Sequence, residues 1–595
     1  MVTPNVTVAQ GHLDKNDIVS PEFTKMVEDV KASNEADAHL TVREALKKYK
    51  VAMFWAMLLS VALIMEGFDG NMMGSFYGQS QFQARFGTYN EREGKNLIPT
   101  AWQTGLSNAS AVSQLLGLVI NAWAQDRFGS RKTLMFFMVI MALAIFIPFF
   151  STSLTMLAIG QFACGIPWGV FQTLSTSYAS ELVPTVLRPY VTAWVCMCWG
   201  FGLTISAGIL LVVLTVPGDW GWRLPISLQW IWPLPLFVAA YFAPESPWNA
   251  VRRGNIEEAR KSLRRLRNSD GTNENEVENA LAYIRYTTEL ERAETENANF
   301  IDCFNGTNLR RTEIYANIVV WCAQIMCGNA IQGFAILFLQ SAGFSVEQSF
   351  DLNISLNACF IIGGFICWLL FPHFGRATIY MSGLTFMFFS LIVIGGLGFA
   401  HSSAARLAIG IVMIVCQLVN VITIGPVAYP IVAETPSGKL RYKTITIGRF
   451  SYVCTGIITN IITPRMIAPD GRNCFVLSHC LSPTSLFLSM SPRIYPNDPL
   501  KTLYRIVDKL TRNSEWNWGA KAALFYAGTN LLCNLWCWFR LPETKDRAFG
   551  EIDLLFDNKV PARKWKHTNV DQFAANDRHM SKEKHEIFTT TIENA

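Results

Sequence analysis

Charged residues are scarce in this chain, at 16% of 595, while 51% are hydrophobic. The apolar residues are gathered into runs about twenty long, which excludes an ordinary soluble domain and makes the chain a polytopic membrane protein. Other absences narrow the function. A formal charge of +5 with no single basic patch excludes nucleic-acid binding. Neither a phosphate-binding P-loop nor a metal-ligand cluster occurs, and Gly200-Phe201-Gly202 lies inside an apolar run, where it reads as a helix-packing site. An enzyme is not expected. The first 48 residues lack the apolar core of a cleavable signal. Fourteen cysteines are present, but most, such as Cys164, Cys196, Cys327 and Cys533, lie in apolar runs and read as small hydrophobes.

What is present is a set of twelve apolar runs. Arg43, Lys47, Lys48 and Lys50 precede the first, favouring a cytoplasmic N-terminus. Six runs fall at about 51–77, 101–124, 133–150, 154–178, 190–214 and 224–242, and six more at about 313–340, 351–371, 377–399, 404–431, 443–465 and 518–540. The fold class expected is an all-α membrane protein of twelve transmembrane helices in two six-helix pseudo-repeats. Its parts are a cytoplasmic tail (1–50), a first half (51–244), a charged, amphipathic cytoplasmic loop (245–312), a second half (313–541) and a cytoplasmic C-terminal tail (542–595) that looks polar.

The two halves repeat. Glu181 and Arg188 follow the fourth run, and Glu434 and Arg441 follow the tenth at the same spacing, 253 positions later. Pro244-Glu245-Ser246 follows the sixth run and Pro542-Glu543-Thr544 the twelfth, now 298 positions apart. Parallel duplication of this kind is a secondary-transporter architecture. The surplus of 45 lies in 468–512, a Ser- and Pro-rich stretch without counterpart in the first half. It is either an atypical insertion in the last external loop or translated intron.

Three charges stand inside apolar runs rather than at their ends. Glu66 and Asp69 share the first, and at bilayer depth a carboxylate is costly unless it faces a wet path or a partner. A spacing of three puts both on one helix face, in position to share a proton or a counter-charge. Arg449, near the start of the eleventh run, is either a counter-ion or a side chain that snorkels to the surface.

The motifs resemble those of the sugar-porter branch of the major facilitator superfamily, most closely the fungal alpha-glucoside (maltose-type) proton symporters. The resemblance spans about 50–555 and rests on Asp126-Arg127-Phe128-Gly129-Ser130-Arg131-Lys132, Trp222-Arg223-Leu224-Pro225, Pro244-Glu245-Ser246, Phe374-Gly375-Arg376, Gly425-Pro426 and Pro542-Glu543-Thr544. It implies the major facilitator fold, alternating access, and proton-coupled uptake of an alpha-glucoside or related sugar across the plasma membrane. It also implies a cytoplasmic gate of Asp126, Arg127, Arg131, Glu181, Arg188, Glu245, Glu434, Arg441 and Glu543, which holds the halves together when the transporter is open outward. Asp69, in Gly67-Phe68-Asp69, falls where the family has its proton-binding carboxylate. Glu66 and Arg449 are assigned to the same coupling.

The ligands implied are protons and a sugar or glycoside within the lipid bilayer, with no cofactor and no metal. A sugar needs amide and hydroxyl groups plus aromatic faces. Gln324, Asn329 and Gln332 in run seven, Phe334, and Tyr429 in run ten are the candidates; buried amides also serve as interhelical glue. The first-run Asp pairs in hexose symporters with an Arg that is Gln161 here, as in maltose-type porters. Three departures remain: Gln114 replaces a Glu, while Leu203 and Ile325 replace sugar-contacting Gln residues. They leave open a more apolar glycoside or secondary metabolite, imported or exported, as the alternative cargo. A transport-incompetent sugar sensor is the less favoured reading, because the tail after Asp553 shows no specialised signalling segment.

Overall fold

The computed structural model describes residues 42–90, 94–184, 187–266, 274–295, 303, 318–370, 373–400, 402–435, 441–467, 519–545, 552, 555, 556, 558 and 560–568. The 468–512 insertion lies outside them. A backbone in lipid must satisfy its own N–H and C=O groups, so helices do the crossing. The first half contains span 1 (Lys50–Phe76), span 2 (Thr100–Phe128), span 3 (Ser130–Phe149), span 4 (Leu154–Leu182), span 5 (Arg188–Val213) and span 6 (Trp220–Phe242). In the second half, span 7 is broken into Ile318–Met326, Asn329–Gln332 and Ala335–Ser341. Then come span 8 (Val346–Leu370), span 9 (Arg376–Leu397), span 10 (Ser403–Glu434, interrupted at Ile424), span 11 (Arg441–Ile467) and span 12 (Ala522–Arg540).

Eight of these spans are long and apolar enough to cross a bilayer on length and composition alone, among the described residues. Spans 2, 7, 11 and 12 fall outside that set, and their polar groups bond to neighbouring helices. Tyr77, capping the end of span 1, donates to the Gln103 carbonyl in span 2 at 3.1 Å. Thr463 and Tyr526 join spans 11 and 12 at 2.5 Å, and Asn530 donates to the Leu384 carbonyl at 3.1 Å. Span 2 packs against span 11, span 5 against span 8, and span 1 against span 7, which brings the halves together. Local devices recur in both halves. Ser153 accepts from Met156 N–H to cap span 4, and Ser402 accepts from Ala405 N–H to cap span 10.

Span 7 breaks because Gly328 takes a left-handed φ of +102°, a conformation costly for any residue with a Cβ. Broken helices in transporters mark places where backbone polar groups turn toward a cavity. Between spans 1 and 2, Thr88–Asn90 and Lys95–Leu97 form an antiparallel hairpin with Thr88 opposite Leu97. Between the halves, Pro247–Arg252, Ile256–Leu266 and Glu274–Thr295 form a helical layer. Ala259, Leu263 and Leu281 are among its buried apolar residues, and Arg260 bonds Glu278 at 2.6 Å. The polar C-terminal tail proves to contain a small apolar cluster of Ile552, Leu555, Phe556, Ala562 and Trp565. Its members are interleaved with charged residues, so no run announces it.

Spans 2 and 4 lie so close that a Cβ at Gly165 would collide with Ser113 Oγ and stand 2.6 Å from the Ser110 carbonyl oxygen. Gly208, in span 5, has open space at the same point. Gly165→Ala is expected to cost about 1 to 3 kcal/mol by overpacking. Gly208→Ala should be neutral or slightly stabilising. Thermal unfolding of the two purified variants checks this, and equal midpoints would contradict the packing argument.

Candidate functional site

Glu66 and Asp69 are 7% and 3% exposed, and each has its own partners. Asp69 Oδ1 accepts from Gln229 Nε2 at 2.7 Å and from Gln161 Nε2 at 3.4 Å. Glu66 Oε1 accepts from Gln172 Nε2 at 3.1 Å, while Oε2 is buried with no hydrogen-bond partner among the described residues. The shared proton or counter-charge expected from their spacing is not the arrangement found. Positions three apart still diverge by roughly 60° around a helix. Span 4 offers amides at two levels, Gln161 and Gln172, and each carboxylate turns to its own.

Arg449 does not snorkel; it is 8% exposed. Its Nε donates to Gln172 Oε1 at 3.0 Å, and its guanidinium lies over the rings of Trp321 at 4.8 Å and Tyr452 at 4.4 Å. Tyr429 meets Trp321 edge-on at 4.9 Å. Desolvated stacking of this kind contributes about 2 kcal/mol toward holding a cation. Gln172 thus connects Glu66 in the first half to Arg449 in the second. Gln172, Gln229, Trp321 and Tyr452 were not singled out from the sequence. The available signal was the interval of eleven between Gln161 and Gln172, three helical turns, which puts both amides on one face.

The candidate sugar contacts separate into two groups. Gln324 donates to the Gly425 carbonyl at 2.9 Å and the Ile424 carbonyl at 3.4 Å, where span 10 is interrupted, so it ties spans 7 and 10 together. Phe334 is buried and stacks on Tyr77 at 6.2 Å. Asn329 and Gln332, on the short helix between the breaks of span 7, are half-buried, as is Tyr429. Leu203 is buried in an apolar cluster with Cys196, Phe360 and Val421, with Trp199 and Tyr429 packed against it. Beside it lies a set of amides that the sequence did not single out. Asn353 and Asn357 in span 8 donate to Asn71 Oδ1 in span 1 at 3.2 and 3.3 Å, and Thr204 donates to the Asn357 carbonyl at 2.9 Å.

At the ends of the spans that carry the positive loops, the described gate carboxylates find partners in their own half or in the loop joined to it. Glu181 bonds Arg252 and Ser246, and Asp126 lies within their electrostatic reach. Glu245 accepts from the backbone N–H of Ser130 at 2.9 Å and Arg131 at 3.3 Å, with Arg253 at 3.8 Å. Glu543 accepts from the N–H groups of Ala377 and Thr378, each at 3.4 Å. Each half therefore places a carboxylate at the N-terminus of its third helix, the favourable end of the helix dipole. Arg127 and Arg131 lie over Trp123 at 5.9 Å and Tyr241 at 5.7 Å. The side chains of Arg188, Glu434 and Arg441 lie outside the described residues; Arg188 and Arg441 open spans 5 and 11, and Glu434 closes span 10. At the opposite ends, spans 1 and 7 touch. A Cβ at Gly74 would collide with the Gly333 carbonyl oxygen, and Gln340 Nε2 donates to the Gly78 carbonyl at 3.1 Å.

Two repeated six-helix halves, meeting around buried carboxylates and a caged guanidinium, define a multi-pass transporter of the major facilitator fold. The family model described as "Sugar (and other) transporter" matches residues 55–487, and the chain belongs to that family. The maltose permease MAL31 of Saccharomyces cerevisiae is 35% identical over 567 residues, 94% of this chain and 85% of the permease. A general alpha-glucoside permease of the same yeast is 35% identical over 551 residues, 92% of this chain and 82% of its own. Among solved structures, the proton:xylose symporter XylE bound to 6-bromo-6-deoxy-D-glucose superposes with a TM-score of 0.62 at 16% identity, covering 86% of this chain and 100% of XylE. XylE from E. coli in a partially occluded, inward-open conformation gives 0.60 at 16%, covering 84% and 100%. These relatives are transporters, not enzymes.

Burial pushes the Glu245 carboxyl above the ordinary carboxylate range, against the downward pull of Arg253 and the N–H groups of Ser246, Ser130 and Arg131. A raised value means the folded chain holds the proton more readily than the unfolded chain. The Glu245 contribution to stability is then fullest at acid pH and is lost as pH rises through the native value. The stability of the wild type relative to Glu245→Gln should fall between pH 4 and 7 in thermal unfolding; a pH-independent difference would contradict this.

Proposed function

We propose that this chain is a secondary active transporter that couples uptake of an alpha-glucoside or related sugar to protons by alternating access in the plasma membrane. Asp69 carries the reading. It is a deeply buried carboxylate in a membrane span, hydrogen-bonded to two neutral amides, Gln161 and Gln229. A carboxylate so placed is expensive to keep charged and suited to taking up and releasing a proton as access alternates. The names of the relatives supply the cargo class, and Gln324, Asn329, Gln332, Phe334 and Tyr429 are assigned to its recognition. Asp126, Arg127, Arg131, Glu181, Arg188, Glu245, Glu434, Arg441 and Glu543 are assigned to the inner gate.

A second reading keeps the scaffold and changes the cargo to a more apolar glycoside, imported or exported. The apolar cluster around Leu203 and Phe360 favours it. Uptake of radiolabelled maltose into transporter-null yeast, at pH 5 and pH 7 with and without an uncoupler, separates the two when aryl glucosides are added as competitors. Maltose uptake should be stimulated by acid, abolished by the uncoupler and reduced to background in Asp69→Asn. If a surface-located protein ignores maltose while carrying aryl glucosides, the second reading replaces the first.

A further inference from the structure

We infer that Gln172 is a positioning residue of the coupling, its amide transmitting the protonation state of Glu66 in span 1 to Arg449 in span 11 across the junction of the two halves. The inference rests on the proton-coupled reading above and adds a residue to it.

A glutamine amide donates only through nitrogen and accepts only through oxygen. Here the nitrogen faces Glu66 Oε1 at 3.1 Å, and the oxygen faces Arg449 Nε at 3.0 Å. With a carboxylate on one side and a guanidinium on the other, the flipped amide would oppose acceptor to acceptor and donor to donor. The orientation is therefore imposed by both neighbours at once. Neither outer support is free to adjust. Arg449 is held between Trp321 and Tyr452, and span 4 is locked against span 2 at Gly165 and Gly169.

What can change is the proton on Glu66. An ionised Glu66 polarises the amide and strengthens the bond that Gln172 accepts from Arg449, because linked hydrogen bonds reinforce one another. A proton, for which the unpartnered Oε2 is the vacant position, weakens the acceptor, and the hold on Arg449 slackens with it. The consequence falls between spans 4 and 11, which belong to different halves. Other titratable groups within electrostatic reach of Glu66 are Tyr452 of span 11 and Tyr429 of span 10, with Cys196 of span 5 facing Arg449 and both tyrosines. Asp69, on the same helix, is turned to Gln161 and Gln229. Gln172 bonds to a charged side chain in each half.

The test compares the wild type with Gln172→Leu, Glu66→Gln and the exchanged double variant Glu66→Gln/Gln172→Glu. The exchange moves the carboxylate one place along the same chain of bonds. Two readouts are taken: the ratio of maltose uptake at pH 5 to that at pH 8, and the distance between spin labels at the inner ends of spans 4 and 11, measured without sugar at both pH values. Sugar exchange at fixed pH and surface level report whether each variant is folded. Gln172→Leu should keep exchange while its pH response falls about fivefold or more, the lower range of a linkage between sites. The distance should respond to pH in the wild type and not in Gln172→Leu, and the double variant should recover what both single variants lose. A wild-type response in Gln172→Leu, or a double variant no better than Gln172→Leu, overturns the role. If the wild type carries no maltose yet its distance still responds to pH through Gln172, the sugar reading fails and the role of Gln172 stands.

Discussion

A carboxylate taken into a dry helical bundle has to be given donors or a counter-charge, and that requirement governs the junction of the two halves. Glu66 and Asp69 meet it differently. Asp69 is served by neutral amides within its own half, from Gln161 and Gln229. Glu66 is served by an amide whose other end reaches a cation in the opposite half. One carboxylate is thereby local and the other is joined to the relative placement of the halves. Secondary transport needs both properties, a place to hold a proton and a reason for the halves to respond to it.

The rest of the architecture keeps that junction polar without leaving it unsatisfied. Spans 2, 11 and 12, which are less uniformly apolar, and span 7, which is interrupted, bond to neighbouring helices through hydroxyl and amide groups. Span 7 is broken where it carries Asn329 and Gln332, and span 10 is interrupted where Gln324 reaches its carbonyls. At the other end of the mechanism, Glu245 and Glu543 cap equivalent helices in the two halves, so the duplication seen in the sequence is also a duplication of contacts. In this conformation spans 1 and 7 are in contact at one end, and at the other end Glu181, Glu245 and Glu543 find partners in their own half or in the loop joined to it.

The spans and their repeat were legible because apolar runs and recurring Glu, Arg and Pro positions are properties of the sequence alone. Glu66, Asp69 and Arg449 were legible for a related reason: a charge in an apolar run has no bland surroundings to hide in. Gln172, Gln229, Asn71, Asn353 and Asn357 were not. A neutral amide acquires its meaning from the helix opposite, and span 4 does not reveal that span 11 passes beside it. Nor could the sequence choose Arg252 and Arg253 from the many basic residues of the central loop. The short helix Pro247–Arg252, capped by Ser246, makes that choice by presenting Arg252 and Arg253 to Glu181 and Glu245.

The central claim is that sugar and proton move together through this junction. Purified protein in liposomes on a solid-supported membrane, given a jump in maltose concentration with no pH gradient imposed, measures this directly. Coupled movement predicts a transient current of positive charge in the direction of the sugar, absent when equal sugar on both sides permits only exchange. Sugar accumulating inside the liposomes with no accompanying charge movement would contradict the account.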